Sequence, residues 1–416
     1  MAIPIEISYL YYETNPSKAT AMTISMNILL FVVGAGILQA IFLACLIFFY
    51  PKGDRSVNAF LGCYTLSMCI PMFAPIVQHF SSWQRLMFLD PFLLLTAPFL
   101  YLYVCSFKEK ITFGKAWPHF VLFMLIVIYD YYLYVNLASH YPLTQQVPME
   151  VIHHPSVMAR VFIRIGQMIV YSLMAGRVLT AYQRSIRHLF SETSKISLAW
   201  VRWLINGYFI LTMMMAILYS LILRNPENFG LLILINTALV TPYLYAVTFK
   251  GVTQPTLWQV SHGRDKDTVL QEIREAEETE LLVQQEPEKL KPAPASEKMN
   301  DIVARTLELM TDEKLYLQTE LTLQDLADKL KTPSYQVSQA INDGLQKTFY
   351  DLVNGYRVEE AKRLLLDPKS RANKILAVGF DAGFNSKTTF NTVFKKFTGL
   401  TPSDFKERHQ PEPAVA

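Results

Sequence analysis

Seven long apolar stretches fill the first 249 residues of this 416-residue chain, near 22–49, 57–80, 86–107, 116–136, 157–181, 199–223 and 229–249. A helix of ~20 apolar residues is enough to cross the hydrocarbon of a bilayer. Backbone polar groups in lipid must be satisfied within the segment, so helices are the expected form. The composition fits, with 51% hydrophobic and only 18% charged residues. The net charge of +3 averages two unlike regions and decides little.

Polar punctuation separates the stretches, as in Pro51-Lys52-Gly53-Asp54-Arg55, Lys108-Glu109-Lys110 and Arg224-Asn225-Pro226-Glu227-Asn228. Pro71, Pro75, Pro91 and Pro98 fall inside stretches, where packed membrane helices tolerate them. Met1 to Lys18 carries Glu6 and Glu13 with no basic lead, unlike a signal peptide. Cys45, Cys63, Cys69 and Cys105 sit in apolar runs and read as buried free thiols.

Lys and Arg gather in alternate connections. The first, third and fifth hold Lys52, Arg55, Lys108, Lys110, Lys115, Arg184, Arg187 and Lys195; the others hold Arg85 and Arg224. The positive-inside bias places the basic set in the cytoplasm, the N-terminus outside and the C-terminus inside. Trp83, Trp117, Trp200 and Trp203 fall near the expected span ends, where interfacial aromatics concentrate.

Asn27, Asp90, Asp130, Arg160, Arg164, Gln167 and Asn236 all map to the outer half under this topology. Ionisable groups at membrane depth are costly and tend to face the bundle interior or a wet cavity. One reading is a sensory pocket for an unknown signal ligand, with Asp130, Arg164 and Gln167 as its candidates and Asp130–Arg164 as the expected ion pair. The other is structural pairing and headgroup contact.

Enzyme chemistry is not legible. HExxH is absent, Tyr129-Asp130 lacks a Gly-x-Gly-Asp partner, and His153-His154 stands without further ligands at metal spacing. No catalytic residue, metal or cofactor is expected.

Charge returns after Lys250. Residues 251–297 read as a cytoplasmic linker, with a charged helix over Asp265 to Gln285 and a Pro-rich spacer over Glu286 to Ser296. The helix carries an imperfect apolar stripe, Leu270, Ile273, Ala276 and Leu281, that could pair with a second copy or stay solvated.

Residues 298–409 form the third region, before a 410–416 tail. A helix over Lys298 to Met310 leads in. Thr322 caps an expected helix burying Leu323, Leu326, Ala327 and Leu330. After a Lys331-Thr332 turn, Thr332 caps a second helix over Pro333 to Leu345, with Pro333 in its first turn. It buries Val337, Ala340 and Ile341 and shows Tyr335, Ser338, Gln339 and Asn342. That is the helix-turn-helix plan, whose second helix enters the major groove. A long helix, Tyr350 to Leu366, leads to a second copy of the plan. Ile375, Ala377, Val378 and Phe380 give its short helix, and Asp381 to Phe384 turn the chain. Asn385 or Ser386 then caps a helix with Phe390, Val393, Phe394 and Phe397 inside. Lys387, Thr388, Asn391, Thr392, Lys395 and Lys396 lie outside, and Gly399 stops the helix.

YRVEEAKRLL on the long helix, Ala377…Gly379-Phe380, Gly383-Phe384, Phe390…Phe394-Lys395-Lys396 and Gly399-Leu400-Thr401-Pro402 together resemble the AraC-type transcription regulators. The resemblance covers about the last quarter of the chain. It implies two recognition helices in successive major-groove segments of double-stranded DNA. Base-facing roles fall on Tyr335, Ser338 and Gln339, and on Lys387, Thr388 and Thr392. The first such helix departs from a strongly basic pattern: it has no Lys or Arg and carries Asp343.

From Lys329 to Arg408 there are 14 Lys or Arg against 8 Asp or Glu. Phosphate contact needs such an excess. Lys395 and Lys396 are the leading phosphate candidates. Arg357, Lys362 and Arg363 are weaker ones, equally explained as a solvated helix face.

The expected fold is all-α: an extracytoplasmic 1–21, a seven-helix transmembrane bundle over 22–250, the linker, and a soluble double helix-turn-helix domain. The expected function is a bacterial inner-membrane regulator sensing an outside or membrane signal and acting on nearby promoters through association of its cytoplasmic halves, a homodimer. A seven-span receptor or transporter whose C-terminal helices bind protein partners is the alternative. The Lys- and Thr-rich face of the second recognition helix favours DNA.

Overall fold

The computed structural model describes residues 16–50, 54–80, 89–138, 150, 153–194, 196–224, 229–253, 297–367 and 374–409. Every regular element among the described residues is a helix, with no strand and one isolated bridge between Phe190 and Thr322. Two compact units divide the chain, 1–179 with 199–254 and 180–198 with 255–416.

In the first unit the expected stretches are helical. The elements are α1 (Pro16–Phe49), α2 (Arg55–Cys69), α3 (Ala74–Phe80), α4 (Leu93–Cys105), α5 (Val121–Ala138), α6 (Pro155–Leu189), α7 (Ala199–Arg224) and α8 (Phe229–Thr253). The unit boundary falls within α6. Asp54 starts α2 by accepting hydrogen bonds from the Ser56 and Val57 amides.

Among the described residues, three stretches, Phe113–Asn136, Pro155–Leu189 and Ala199–Leu221, are long and apolar enough to cross a membrane. Seven were expected. The second expected span breaks into α2 and α3 at a 3₁₀ turn, Ile70–Phe73, where Pro71 lacks an amide to donate. The first, third and seventh run into positions whose backbone or side chains lie outside the description. So do Trp83, Lys52, Lys195 and the expected 265–285 linker helix.

α2 packs against α1 and α4, and α8 against α1 and α7. Several hydroxyl groups inside this apolar packing satisfy one another. Tyr64 Oη lies 2.8 Å from Tyr243 Oη, which donates to the Leu204 carbonyl at 2.9 Å. Thr96 Oγ1 and Tyr208 Oη are 2.6 Å apart. Gly207 allows this fit, because a Cβ there would meet the Tyr243 ring at 2.7 Å. Outward the unit is apolar: Phe31, Leu38 and Phe42 of α1, Met124 and Ile128 of α5, Phe162 of α6 and Ile210 of α7 are exposed.

The second unit contains α9 (Glu297–Thr311), α10 (Leu323–Leu330), α11 (Ser334–Gln339), α12 (Phe349–Leu366), α13 (Ile375–Asp381), α14 (Lys387–Thr398) and α15 (Pro402–His409). Thr322 caps α10 reciprocally with Asp325: its amide donates to Oδ2 at 2.8 Å, and the Asp325 amide donates to Thr322 Oγ1 at 3.2 Å. α11 starts one residue later than expected, with Pro333 rather than Thr332 at its cap; Thr332 Oγ1 instead donates to the Leu330 carbonyl. Beyond Gln339 the expected helix widens into a π turn, Ala340–Gly344, rather than running regularly to Leu345.

Gly383 joins α13 to α14 at φ +93°, and a Cβ there would lie 2.6 Å from the Tyr316 carbonyl oxygen. A side chain is excluded on both counts. Ser386 caps α14, and Gly399 ends it in the left-handed conformation. Val358, Ala361, Leu365, Val378, Phe384, Phe390, Val393 and Phe394 form the core of this half. Phe397 was expected inside but is 41% exposed. Phe397 lies in the last turn of α14, past the core stripe, with the Lys396 ammonium 5.5 Å from its ring.

Candidate nucleic-acid interface

Each half of the second unit presents the outer face of its second helix. On α11, Tyr335 and Gln339 are exposed and Ser338 is half-buried, while Val337 beneath them is fully buried. Asn342 lies on the π turn, half-buried. Gln336 Nε2 donates to Tyr335 Oη at 2.8 Å, which orders that ring on the surface.

On α14, buried Phe390, Val393 and Phe394 hold the helix down. Lys387, Thr388, Thr392 and Lys395 stand exposed on the opposite side, with Asn391 half-buried. Lys395 forms no ion pair among the described residues. Lys396 differs: its ammonium bonds Asp351 of α12 at 2.6 Å and lies 5.9 Å from the Tyr350 ring. A phosphate would have to compete with Asp351 for it.

One of the weaker phosphate candidates, Arg357, is corrected. Arg357 is fully buried and faces the interior. Its Nε donates to the Tyr316 carbonyl at 2.8 Å, and Nη2 donates to the Gln318 and Thr319 carbonyls at 2.7 and 3.2 Å. Burial pushes this guanidinium down to about 10, and the Glu192 carboxylate works against that. Lys362 and Arg363 pair with Glu359 and Glu360 one turn away, as ordinary surface ion pairs do. Arg357 was readable as buried, since Val353, Arg357, Ala361 and Leu365 recur every four residues on one face.

Arg357 ties the halves together: it springs from α12 and holds the backbone leading into α10. Asn385, beside the α14 cap, adds a second tie by donating to Glu320 at 3.0 Å.

The polar residues of the first unit form a separate cluster. Arg160 Nη1 bonds Asp130 Oδ1 at 2.6 Å, and Arg164 Nη1 bonds Asp90 Oδ1 at 2.5 Å. The expected Asp130–Arg164 pair is therefore replaced by two other pairs. Arg160 and Arg164 share a face of α6 one turn apart, so helix placement alone decides which acid each meets. Gln167, a further turn along, donates to the Leu94 carbonyl at 3.2 Å. Asp130 Oδ2, Arg160 Nε and Gln167 Oε1 are buried without partners among the described residues. No group of three or more metal-ligating side chains occurs among the described residues.

Residues 326–408 match a family model described as a helix-turn-helix domain. An uncharacterized HTH-type transcriptional regulator of Pseudoalteromonas carrageenovora is 36% identical over 73 residues, 18% of this chain. The match spans 40% of that relative, well under half its length. The C-terminal domain of AraT, a response regulator from Geobacillus stearothermophilus, is 26% identical with a TM-score of 0.26, covering 30% of this chain and 95% of that one. A Listeria innocua protein of unknown function is 26% identical with a TM-score of 0.24, covering 26% and 98%. The C-terminal segment is thus a helix-turn-helix domain.

Proposed function

We propose that this chain is a membrane-embedded, sequence-specific DNA-binding transcription regulator. The exposed face of α14 carries the reading: Lys387, Thr388, Thr392 and Lys395 stand free above a helix pinned by three buried apolar side chains. The helix-turn-helix match and the regulator from Pseudoalteromonas carrageenovora support it. In this reading Lys395 holds phosphate, while Thr388 and Thr392 meet base edges. α11 contributes Tyr335, Ser338, Gln339 and Asn342, and its lack of positive charge leaves most phosphate binding to α14.

Lys395→Ala is expected to weaken all duplex sequences alike and reduce the salt slope by about one. Thr388→Ala and Thr392→Ala are expected to relax preference at single bases. Titrations of the full-length protein with duplex DNA at several salt concentrations check both. A folded protein with no salt-dependent binding would favour a protein partner instead.

Seven spans, an outside N-terminus and a cytoplasmic DNA-reading domain complete the proposal. The exposed apolar side chains of α1, α5, α6 and α7 support lipid contact, because water-soluble surfaces seldom carry so many large apolar groups together. A cytoplasm-dependent reporter fused after Gly251 is expected to be active and a periplasm-dependent one silent; the reverse result ends the topology. Asp130, Arg164 and Gln167, with Asp90 and Arg160, are the proposed signal-responsive group, and pairing of two copies would raise the effective concentration of the readers.

A further inference from the structure

The segment after α6, Phe190–Glu192, carries two polar residues yet is buried: Phe190 is 3%, Ser191 0% and Glu192 6% exposed. Its cover comes from other parts of the same unit, within residues 297–409. The Ser191 amide and Oγ both donate to the Leu321 carbonyl, at 3.2 and 2.6 Å, just before α10. Asn354 of α12 donates to the Ser191 carbonyl at 2.9 Å, and Arg357 donates to Ser191 Oγ at 3.3 Å. Phe190 forms a bridge with Thr322, the α10 cap. Ser386 Oγ donates to Thr389 Oγ1 at 2.9 Å, and Thr389 Oγ1 donates to Glu192 Oε1 at 3.3 Å. Thr389 belongs to α14 but lies on its buried side.

One short segment therefore touches the start of the first helix-turn-helix, the linking helix and the second reading helix. Its carboxylate also matters. Arg357 is a fully buried cation that makes no ion pair within 297–409 among the described residues; its close partners there are carbonyls and the Asn354 amide oxygen. Glu192 brings a buried negative charge to the same junction. A buried charge is tolerated when an opposite charge and hydrogen bonds share its site. With the segment docked, Lys387, Thr388, Thr392 and Lys395 remain exposed, so it supports the reading helices without covering them.

We propose that the groove between the two helix-turn-helix halves is a docking site for this chain's own Phe190–Glu192, and that docking holds the two reading helices at the spacing DNA requires. The inference rests on the DNA-reading function proposed above. Its occupant is set by the hydrogen bonds that Ser191 makes with Leu321, Asn354 and Arg357 and that Glu192 accepts from Thr389. Withdrawal of the segment removes the brace from Leu321, Asn354 and Thr389 at once and takes the Ser191 hydroxyl from Arg357. The halves then sample several spacings, and each binding event must first restore the right one.

The experiment uses full-length protein in detergent and a duplex selected from a random pool by the wild type. Ser191→Trp cannot fit a fully buried serine site and evicts the segment. It is expected to weaken binding to this duplex by roughly tenfold or more, as loss of preorganisation does. Ser191→Ala and Glu192→Gln keep the segment small enough to dock and are expected to cost roughly two- to fivefold, the scale of one hydrogen bond. They decide the matter should Ser191→Trp lower the helix content. The contact is read separately by hydrogen exchange at the Ser191 amide, expected slow in the wild type. Fast wild-type exchange, or variants that bind as tightly as wild type or tighter, would overturn the proposal. A wild-type protein that binds no duplex would sink the DNA-reading function instead, while slow Ser191 exchange would still support the docked segment.

Discussion

Arg357→Met is expected to destabilise the DNA-reading domain by about 3 kcal/mol or more, enough to abolish binding at 37 °C in a marginal domain. The guanidinium is fully buried and satisfies the carbonyls of Tyr316, Gln318 and Thr319. Methionine fills similar volume but donates nothing. Tyr316, Asn354 and Ser191 are buried, and each of their oxygens that loses the guanidinium costs about 1–3 kcal/mol where nothing replaces it, whereas Gln318 and Thr319 are exposed residues. Part of that loss is offset, because the mutant no longer buries a charge. Arg357→Lys should recover little, since one ammonium cannot reproduce the planar fork that spans the three carbonyls. Lys362→Met, on the exposed side of the same helix, should stay within about 0.5 kcal/mol of wild type. Denaturant melts followed by circular dichroism check the set. Equal midpoints for the Arg357 and Lys362 variants would show that the buried network contributes no net stability.

Breaking the Asp130–Arg160 pair should have an effect of comparable size in the first unit. The side chains are 4% and 9% exposed, and their atoms approach to 2.6 Å. Removing one partner of such a pair strands the other charge and costs about 3–5 kcal/mol. Arg160→Met and Asp130→Leu are each expected to lower the steady-state amount of protein several-fold. The double variant should restore most of it, because an apolar pair of similar volume suits that site. Asp90 is 39% exposed, so Asp90→Asn should lower the amount less and act mainly on signal output. A target-promoter reporter normalised to protein level separates the two effects. If Arg164→Gln, rather than Arg160→Met, matches the loss caused by Asp130→Leu, the pairing is the other way round.

Local physics made much of the second unit legible. Thr322, Ser386, Gly383 and Gly399 mark caps and turns because their chemistry acts within a few residues. The buried stripes Leu323/Leu326/Ala327/Leu330 and Phe390/Val393/Phe394 follow from helical periodicity. The same rules identify which side chains of α14 face outward, apart from Phe397 at the helix end. The widening after Gln339 was not legible, since Ala340 to Leu345 reads as a continuing helix. In the first unit the apolar stretches announced helices, but Pro71 broke one where a packed membrane helix could have absorbed it.

The chain by itself thus determined where helices begin and stop, which faces are apolar, and that the C-terminal segment repeats a helix-turn-helix. Those properties are decided by interactions over one to four residues. Tertiary structure alone decided the partners of charges distant in sequence. Asp130 meets Arg160 across 30 residues, Lys396 meets Asp351 across 45, and Ser191 reaches Asn354 across 163. An arginine on a helix carries no mark of which acid another helix will bring within 3 Å. Ser191 and Glu192, in a polar run with no periodicity, gave no sign that they would be buried. Their burial comes from Leu321, Asn354, Arg357 and Thr389, which bond them across 130 or more residues of sequence and meet them only in the folded unit.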